Sequence, residues 1–183
     1  MKRSELAHIL RAASMITSTT EVLIVGSQSI LGSYDEDELP DEAVGSIEAD
    51  VAFLGEGAAE KALAVDGAIG EDSGFHQMYG YYGQGVEVDG LIVLPEGWQE
   101  RIVRWQSLSS EPGRALCLDP HDLAISKLVA HREKDLDFVY ALIDARLLEP
   151  AVLLERLAVT DVARPLARRV DSWVRAMADR FAR

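Results

Sequence analysis

This sequence of 183 residues contains a single cysteine, no long apolar run and few basic side chains in its first hundred residues. A lone Cys117 excludes an internal disulfide and favours a reducing, cytoplasmic location. No apolar run approaches the roughly 20 residues that span a membrane. Glu5 and His8 interrupt the N-terminal segment, which predicts an amphipathic helix rather than an export signal. We therefore expect a soluble protein that does not act on a membrane.

The net charge of −13 is spread unevenly along the chain. Residues 1–100 contain 4 Lys or Arg and 19 Asp or Glu, whereas residues 101–183 contain 14 and 12. This asymmetry suits an acidic part that holds cations and a later part that meets phosphate, although solvated surface explains it equally well. A pI of about 4.7 argues against a nucleic-acid-binding protein, because the chain as a whole repels phosphate.

Short apolar runs bounded by glycine, proline or polar residues predict five β-strands. A polar stretch with Pro40 and Gly45 at 35–45 and a stretch rich in glycine and tyrosine at 71–84 predict loops. Helical spacing predicts an amphipathic first helix and another helix at 58–70, and a short helix is expected at 27–34. The predicted strands lie in residues 20–26, 45–54, 85–94, 96–108 and 114–118.

The second half of the chain reads as helical. Asp119 is the predicted N-cap of a helix that starts at Pro120, since proline is favoured at the first helical position. Helical spacing then continues to the C-terminus, with breaks near Pro150 and Pro165. We expect an α/β fold in which residues 1–118 form a mixed β-sheet flanked by helices, with a helical C-terminal subdomain over 119–183 packed on it.

Two pairs of carboxylates stand out in the predicted strands. Glu48 and Asp50 are one residue apart, so they share one face of their strand, and Glu87 and Asp89 repeat the pattern. If these strands are neighbours, three or four carboxylates converge at one end of the sheet. Carboxylate oxygens of this kind suit Mg²⁺. The alternative is two amphipathic strands with one face in water.

Gly26 and Ser27 follow the first predicted strand and open the short helix. Such a turn offers backbone N–H groups and a hydroxyl to a phosphate. Together with Glu48 and Asp50, it resembles the nucleotidyltransferase superfamily pattern, in which a strand, Gly-Ser and an acidic-x-acidic strand build the nucleotide and metal site. The interval between the two elements is longer than usual in that family, and Glu48 stands where Asp is more common.

The segment "LDPHDLAISKLVAHREKDLDFVYALI" (118–143) is similar to the helical segment of the AbiEii-like abortive-infection toxin nucleotidyltransferases and their bacterial relatives. The resemblance extends over about residues 20–145. The positions that match the pattern of that group are Asp122, Lys127, Ala130, Arg132, Lys134 and Asp135.

The resemblance implies a role for each matched site residue. Glu48, Asp50 and Asp89 would hold Mg²⁺, with Asp89 as the general base and Glu87 as the alternative third carboxylate. Gly26 and Ser27 would seat the phosphates, and Lys127 and Arg132 would steady the nucleotide. The residues themselves also allow another interpretation, in which Lys127 pairs with Asp122 or Asp135, and Arg132 pairs with Asp135.

The reaction implied by this resemblance transfers a nucleoside monophosphate from an NTP to an acceptor hydroxyl and releases pyrophosphate. The acceptor would be tRNA, a protein side chain or a small molecule, and the protein would belong to a toxin-antitoxin system. The alternative is a catalytically inactive binding module or regulatory protein partner that keeps the fold. The long spacing, Glu48 and the acidic segment 35–45, which would repel a triphosphate, favour that alternative.

Overall fold

A computed structural model of the chain describes residues 1–88 and 92–181. Its centre is a five-stranded mixed sheet with the strand order β3-β2-β1-β5-β4, flanked by helices. The predicted α/β class is therefore confirmed. The strands are β1 (Glu21–Ile24), β2 (Glu48–Ala52), β3 (Tyr82–Gly85), β4 (Val103–Trp105) and β5 (Arg114–Cys117).

The strand β1 occupies the middle of the sheet because its side chains are apolar on both faces. Val22, Leu23 and Ile24 are at most 1% exposed, as expected of a strand covered on both sides. β1 pairs antiparallel with β2 and parallel with β5. The outer pairs are β2 with β3, which is parallel, and β5 with β4, which is antiparallel.

Eight α-helices lie within the described residues, and their amphipathic patterns explain how they pack. In the first helix, Leu6, Ile9 and Leu10 are fully buried on one face, as the apolar spacing predicts. The first helix also packs against the third. The helices are α1 (Arg3–Thr17), α2 (Asp41–Val44), α3 (Ala58–Ile69), α4 (Gly74–Tyr79), α5 (Pro120–Ala130), α6 (Glu133–Asp144), α7 (Pro150–Ala158) and α8 (Arg164–Phe181). None of these helices combines the length and apolarity needed to cross a membrane.

The corner between α5 and α6 positions basic residues near the sheet. The Asp119 side chain accepts hydrogen bonds from the backbone N–H groups of His121 and Asp122, at 2.9 and 3.3 Å, so the predicted N-cap is confirmed. α5 ends at Ala130, and His131 adopts a left-handed conformation with φ 55°. A left-handed residue ends the helix, and α6 starts two residues later.

Two predicted segments differ from the structure. The predicted loop 71–84 contains α4, which Ser73 caps by accepting a bond from the His76 N–H at 3.1 Å, and most of β3. Of the predicted strand 85–94, residues 89–91 lie outside the described residues, and among the others only Gly85 belongs to a strand, β3. A Cβ at Gly83 would lie 2.9 Å from Ile9, and one at Gly85 would overlap the backbone of Ala62. Close packing of β3 on α1 and α3 therefore requires glycine at these positions, and the same glycines led to the prediction of a loop.

The acidic segment 35–45 is also more structured than expected. It contains a 3₁₀ helix at Glu36–Glu38 and the short helix α2, whose Ala43 is buried. Arg3 fastens the segment to α1: its side chain pairs with Asp35 and donates to the Leu31 carbonyl at 2.8 Å. Its backbone N–H donates to the Glu36 carboxylate at 3.1 Å.

Candidate functional site

A cavity of about 670 Å³ opens beside the sheet, where β1 and β2 face the corner between α5 and α6. The connection between α2 and β2 forms another wall through Gly45 and Ser46. Six residues singled out by the sequence line this one cavity: Gly26, Ser27, Glu48, Asp50, Lys127 and Arg132. Asp89 lies outside the described residues, and Glu87 lines the cavity from the segment that follows β3.

Gly26 and Asp50 are in direct contact, which joins the two halves of the predicted motif. The backbone N–H of Val25 donates to the Asp50 carbonyl at 3.1 Å, so this end of β1 is held against β2. The φ of Gly26 is −82°, a value that any residue adopts. However, a Cβ there would overlap the Asp50 carboxylate and lie 2.6 Å from its Cγ. Glycine is therefore required at this position by space rather than by backbone conformation.

The carboxyl groups of Glu48 and Asp50 are partly withdrawn from water, and both pKa values are raised. Burial is the main cause for Asp50, partly offset by the positive charges of Lys127, Lys134 and Arg132. Burial and repulsion by Asp50 raise the pKa of Glu48, while Lys134 and a hydrogen bond from Tyr82 oppose the rise. The two carboxylates are thus held close together at an energetic cost that a bound cation would relieve.

Lys127 is held at the cavity wall by Asp135. Its Nζ lies 3.0 Å from Asp135 Oδ1, and Arg132 Nε lies 3.6 Å from Asp135 Oδ2. The Asp135 side chain is only 3% exposed, whereas that of Arg132 is 67% exposed. Two of the three ion pairs that the sequence left open, Lys127 with Asp135 and Arg132 with Asp135, are therefore present. Within the described residues, no Lys or Arg comes within ion-pair distance of Glu48 or Asp50, so these two carboxylates form no ion pair there.

Asp122 lies apart from the cavity and has a structural environment. Its side chain is fully buried and receives two hydrogen bonds from Arg101, at 2.8 and 3.1 Å. Arg156 Nε lies 3.1 Å from its Oδ1. This ion cluster ties α5 to the 3₁₀ helix at Trp98–Arg101 and to α7. Pairing of Lys127 with Asp122, one of the alternatives, does not occur.

The cavity also contains residues that the sequence did not assign to a site. Lys134, which the sequence named as a matched position without giving it a role, lines the cavity and lowers the pKa of both carboxyl groups. Asp41 and Glu42 of α2 place further acidic side chains at the cavity. An apolar wall is formed by Val86, Ile92, Val93, Val129 and Phe138, none of which carries a sequence signal that separates it from core.

The donor set fits Mg²⁺ in part. Over residues 1–88 and 92–181, no group of three His, Cys, Asp or Glu side chains is arranged to hold a metal ion. Glu48 and Asp50 supply two partly desolvated carboxylates to the cavity. Mg²⁺ commonly uses one or two carboxylates and completes its shell with water and substrate phosphate. The two residues therefore suit an ion that arrives with a phosphorylated ligand better than a permanently bound one.

Comparison with known families decides the broad assignment. The family model described as "Nucleotidyltransferase of unknown function (DUF6036)" matches residues 4–160. The chain belongs to this nucleotidyltransferase family. The match covers the whole sheet and every cavity-lining residue named above, and it ends before α8. No curated protein and no solved structure matches the chain.

Proposed function

We propose that this nucleotidyltransferase transfers a nucleoside monophosphate from an NTP to an acceptor hydroxyl in the cytoplasm, in a reaction that depends on Mg²⁺. The observation that carries the proposal is the convergence of Gly26, Ser27, Glu48, Asp50 and Lys127 on one cavity. These residues come from the turn that follows β1, from β2 and from α5, so only the folded chain brings them together. The cavity volume of about 670 Å³ lies within the range of small-molecule and cofactor sites.

The triphosphate would lie between the Gly26–Ser27 turn and the basic side chains of the α5–α6 corner. Ser27 offers a hydroxyl, and the lack of a Cβ at Gly26 leaves room for the Asp50 carboxylate beside the turn. Lys127, Arg132 and Lys134 supply the positive charge, which already acts on Asp50. The apolar wall, including Phe138, offers a surface for the nucleobase.

The proposed reaction forms one bond to phosphorus, breaks another and transfers one proton. The acceptor oxygen forms a bond to the α-phosphorus, the bond from that phosphorus to the bridging oxygen breaks, and pyrophosphate leaves. Asp89, proposed from the sequence as the third carboxylate, would take the proton of the acceptor hydroxyl. A Mg²⁺ ion held by Glu48 and Asp50 would supply neutralisation of the phosphate charge. Positioning and charge compensation account for most of the rate enhancement in such transfers.

Membership of the AbiEii-like toxin branch is part of the proposal and rests on the "KLVAHREKD" resemblance. The acceptor would then be tRNA, a protein or a small molecule, and a protein partner would control the activity. A decisive test is incubation of the pure protein with each α-³²P-labelled NTP, Mg²⁺ and cell extract. Label should pass to one acceptor from the α-labelled but not the γ-labelled nucleotide. Asp50→Asn should abolish the transfer, and Asp137→Asn, an exposed change on α6, should preserve it.

A second candidate function is a catalytically inactive binding module. It is favoured by Asp41 and Glu42 at the cavity, which oppose a triphosphate, and by the engagement of Lys127 with Asp135. Under this alternative no acceptor gains label. A protein partner instead binds equally tightly to the wild type and to Asp50→Asn, with or without nucleotide.

A further inference from the structure

Asp135 is a buried carboxylate shared by two cations that differ in exposure. Its Oδ1 lies 3.0 Å from the ammonium of Lys127, whose side chain is 17% exposed. Its Oδ2 lies 3.6 Å from Nε of Arg132, whose side chain is 67% exposed, and has no hydrogen-bond partner within residues 1–88 and 92–181. Water screens exposed ion pairs, so they contribute little, whereas breaking a buried pair is strongly destabilising. Asp135 is therefore bound closely to Lys127 and only loosely to Arg132.

The corner between α5 and α6 explains why this contact is fixed. Lys127 lies in the last turn of α5 and Asp135 in the first turn of α6, and the left-handed His131 joins the two helices. The backbone N–H of Asp135 donates to the Arg132 carbonyl at 3.0 Å, which holds the start of α6. The Lys127 ammonium also lies 5.5 Å from the centre of the Phe138 ring, within the range of a cation–π contact. Two side chains of α6 thus hold the Lys127 ammonium.

The fixed ammonium lies at the site of the proposed reaction. Lys127, Asp135 and Phe138 line the same cavity as Glu48 and Asp50. Burial raises the pKa of Asp50, and among the positive charges that oppose this rise, that of Lys127 has the largest effect. A lysine ammonium without such a contact samples many positions, because it ends a flexible stem of four carbons. Lys127 is therefore already placed to meet a phosphate that lies beside the two carboxylates.

We propose that Asp135 is a positioning residue that keeps the Lys127 ammonium at the cavity wall, where it binds a phosphate group without leaving Asp135. An ammonium has three N–H donors, so an ion pair with one Asp135 oxygen leaves donors for a phosphate. The rotamer freedom of Lys127 is then lost on folding and not on binding, which raises the affinity for phosphate. This inference rests on the part of the proposed function in which Lys127 steadies the nucleotide.

The variant Asp135→Asn gives opposite results if Asp135 positions Lys127 and if only its charge matters. Removal of a negative charge beside a phosphate site should by itself strengthen phosphate binding. Release of Lys127 should instead weaken binding about 10- to 30-fold, which is the rotamer freedom of a lysine expressed as an affinity. Binding of inorganic tripolyphosphate with Mg²⁺ to the full chain is measured by isothermal titration calorimetry. Equal or tighter binding by Asp135→Asn, or no binding by the wild type, would overturn the inference.

Two comparisons separate positioning from a general effect on the fold. Asp137→Asn is the matched control, because it removes one negative charge from α6 at an exposed side chain, and it should bind tripolyphosphate at least as tightly as the wild type. In Lys127→Ala there is no ammonium to release, so adding Asp135→Asn should strengthen binding. If Asp135→Asn weakens binding equally with and without Lys127, Asp135 does not act through Lys127 and the inference is wrong.

Asp135→Glu covers the case in which Asp135→Asn does not fold, as judged by circular dichroism. It keeps the charge, but its longer side chain shifts the ion pair, so weaker binding is again expected and wild-type affinity contradicts the inference. The test is also separable from the transfer reaction. Weakened binding in Asp135→Asn, with no transfer of label by the wild type, would keep the inference and refute the proposed function. Transfer of label together with wild-type affinity in Asp135→Asn would do the reverse.

Discussion

Gly26→Ala offers a sharp test of the site, because the new methyl group would meet one functional side chain and little else. An alanine tolerates the φ of −82°, so no backbone strain arises. The added Cβ would lie 2.6 Å from Asp50 Cγ, whereas carbon atoms prefer a separation of about 3.5–4.0 Å. The carboxylate must therefore retreat by at least about 1 Å, because its Oδ2 lies even nearer to the added Cβ than Cγ does. A displacement of this size at a reacting centre costs about 10²-fold in rate.

The stability of Gly26→Ala should change far less than its activity. Overpacking of a core typically costs about 1–3 kcal/mol, and we expect the lower end because Asp50 can move towards the cavity. For a chain of this length, about 1 kcal/mol corresponds to a decrease of about 2–4 °C in the melting temperature.

The matched control is Gly67→Ala in α3, where an added Cβ meets nothing within 4 Å. This change should raise stability by about 0.5–1 kcal/mol and leave transfer intact. Transfer from an α-³²P-labelled NTP and melting followed by circular dichroism are measured for both variants. Full activity in Gly26→Ala would refute the steric reasoning.

Three further predictions concern charge. Asp122→Ala should lower the free energy of unfolding, measured with guanidinium chloride, by about 3 kcal/mol. It leaves the charges of Arg101 and Arg156, which are each about a quarter exposed, without their carboxylate partner. Asp171→Ala, which breaks an exposed pair, is its control and should change little. Burial raises the pKa of Asp50, so the folded state binds that proton more tightly and loses stability as the pH rises. Metal-free Asp50→Asn should therefore have a higher melting temperature than the wild type at about pH 7 and lose this advantage near about pH 4. A gain in melting temperature that does not vary with pH would contradict this cause. Mg²⁺ at 100 times its dissociation constant should stabilise the wild type by about 2.7 kcal/mol and Asp50→Asn much less, and equal shifts in both would exclude Asp50 as a ligand.

Local sequence rules account for most elements of the fold. Apolar spacing in α1, the Asp119-Pro120 start of α5 and the apolar run of β1 each depend on a few neighbouring residues, so they are visible without tertiary structure. The strand β3 cannot be recognised from the sequence, because Gly83 and Gly85 are required by close packing against α1 and α3 although glycine has a low strand propensity.

The same division holds for the candidate site. The residue types and their alternation along β2 were sufficient to select Glu48 and Asp50, since carboxylates sharing one face of a strand stand out against an apolar background. The sequence equally predicted Gly26 and Ser27 beside them. However, the role of Asp122 could not be read from its neighbours, because its partners Arg101 and Arg156 are 21 and 34 positions away.

By itself, the sequence determined most elements of an α/β protein, because these depend on short-range periodicity or on adjacent residues, and it carried the acidic and glycine motifs that resemble those of nucleotidyltransferases. Only the tertiary structure decided which charges face each other. It set Lys127 against Asp135, buried Asp122 between two arginines and placed Tyr82 beside Glu48. Ion pairs and cross-strand neighbours are set by strand register and helix packing, which join residues far apart along the chain.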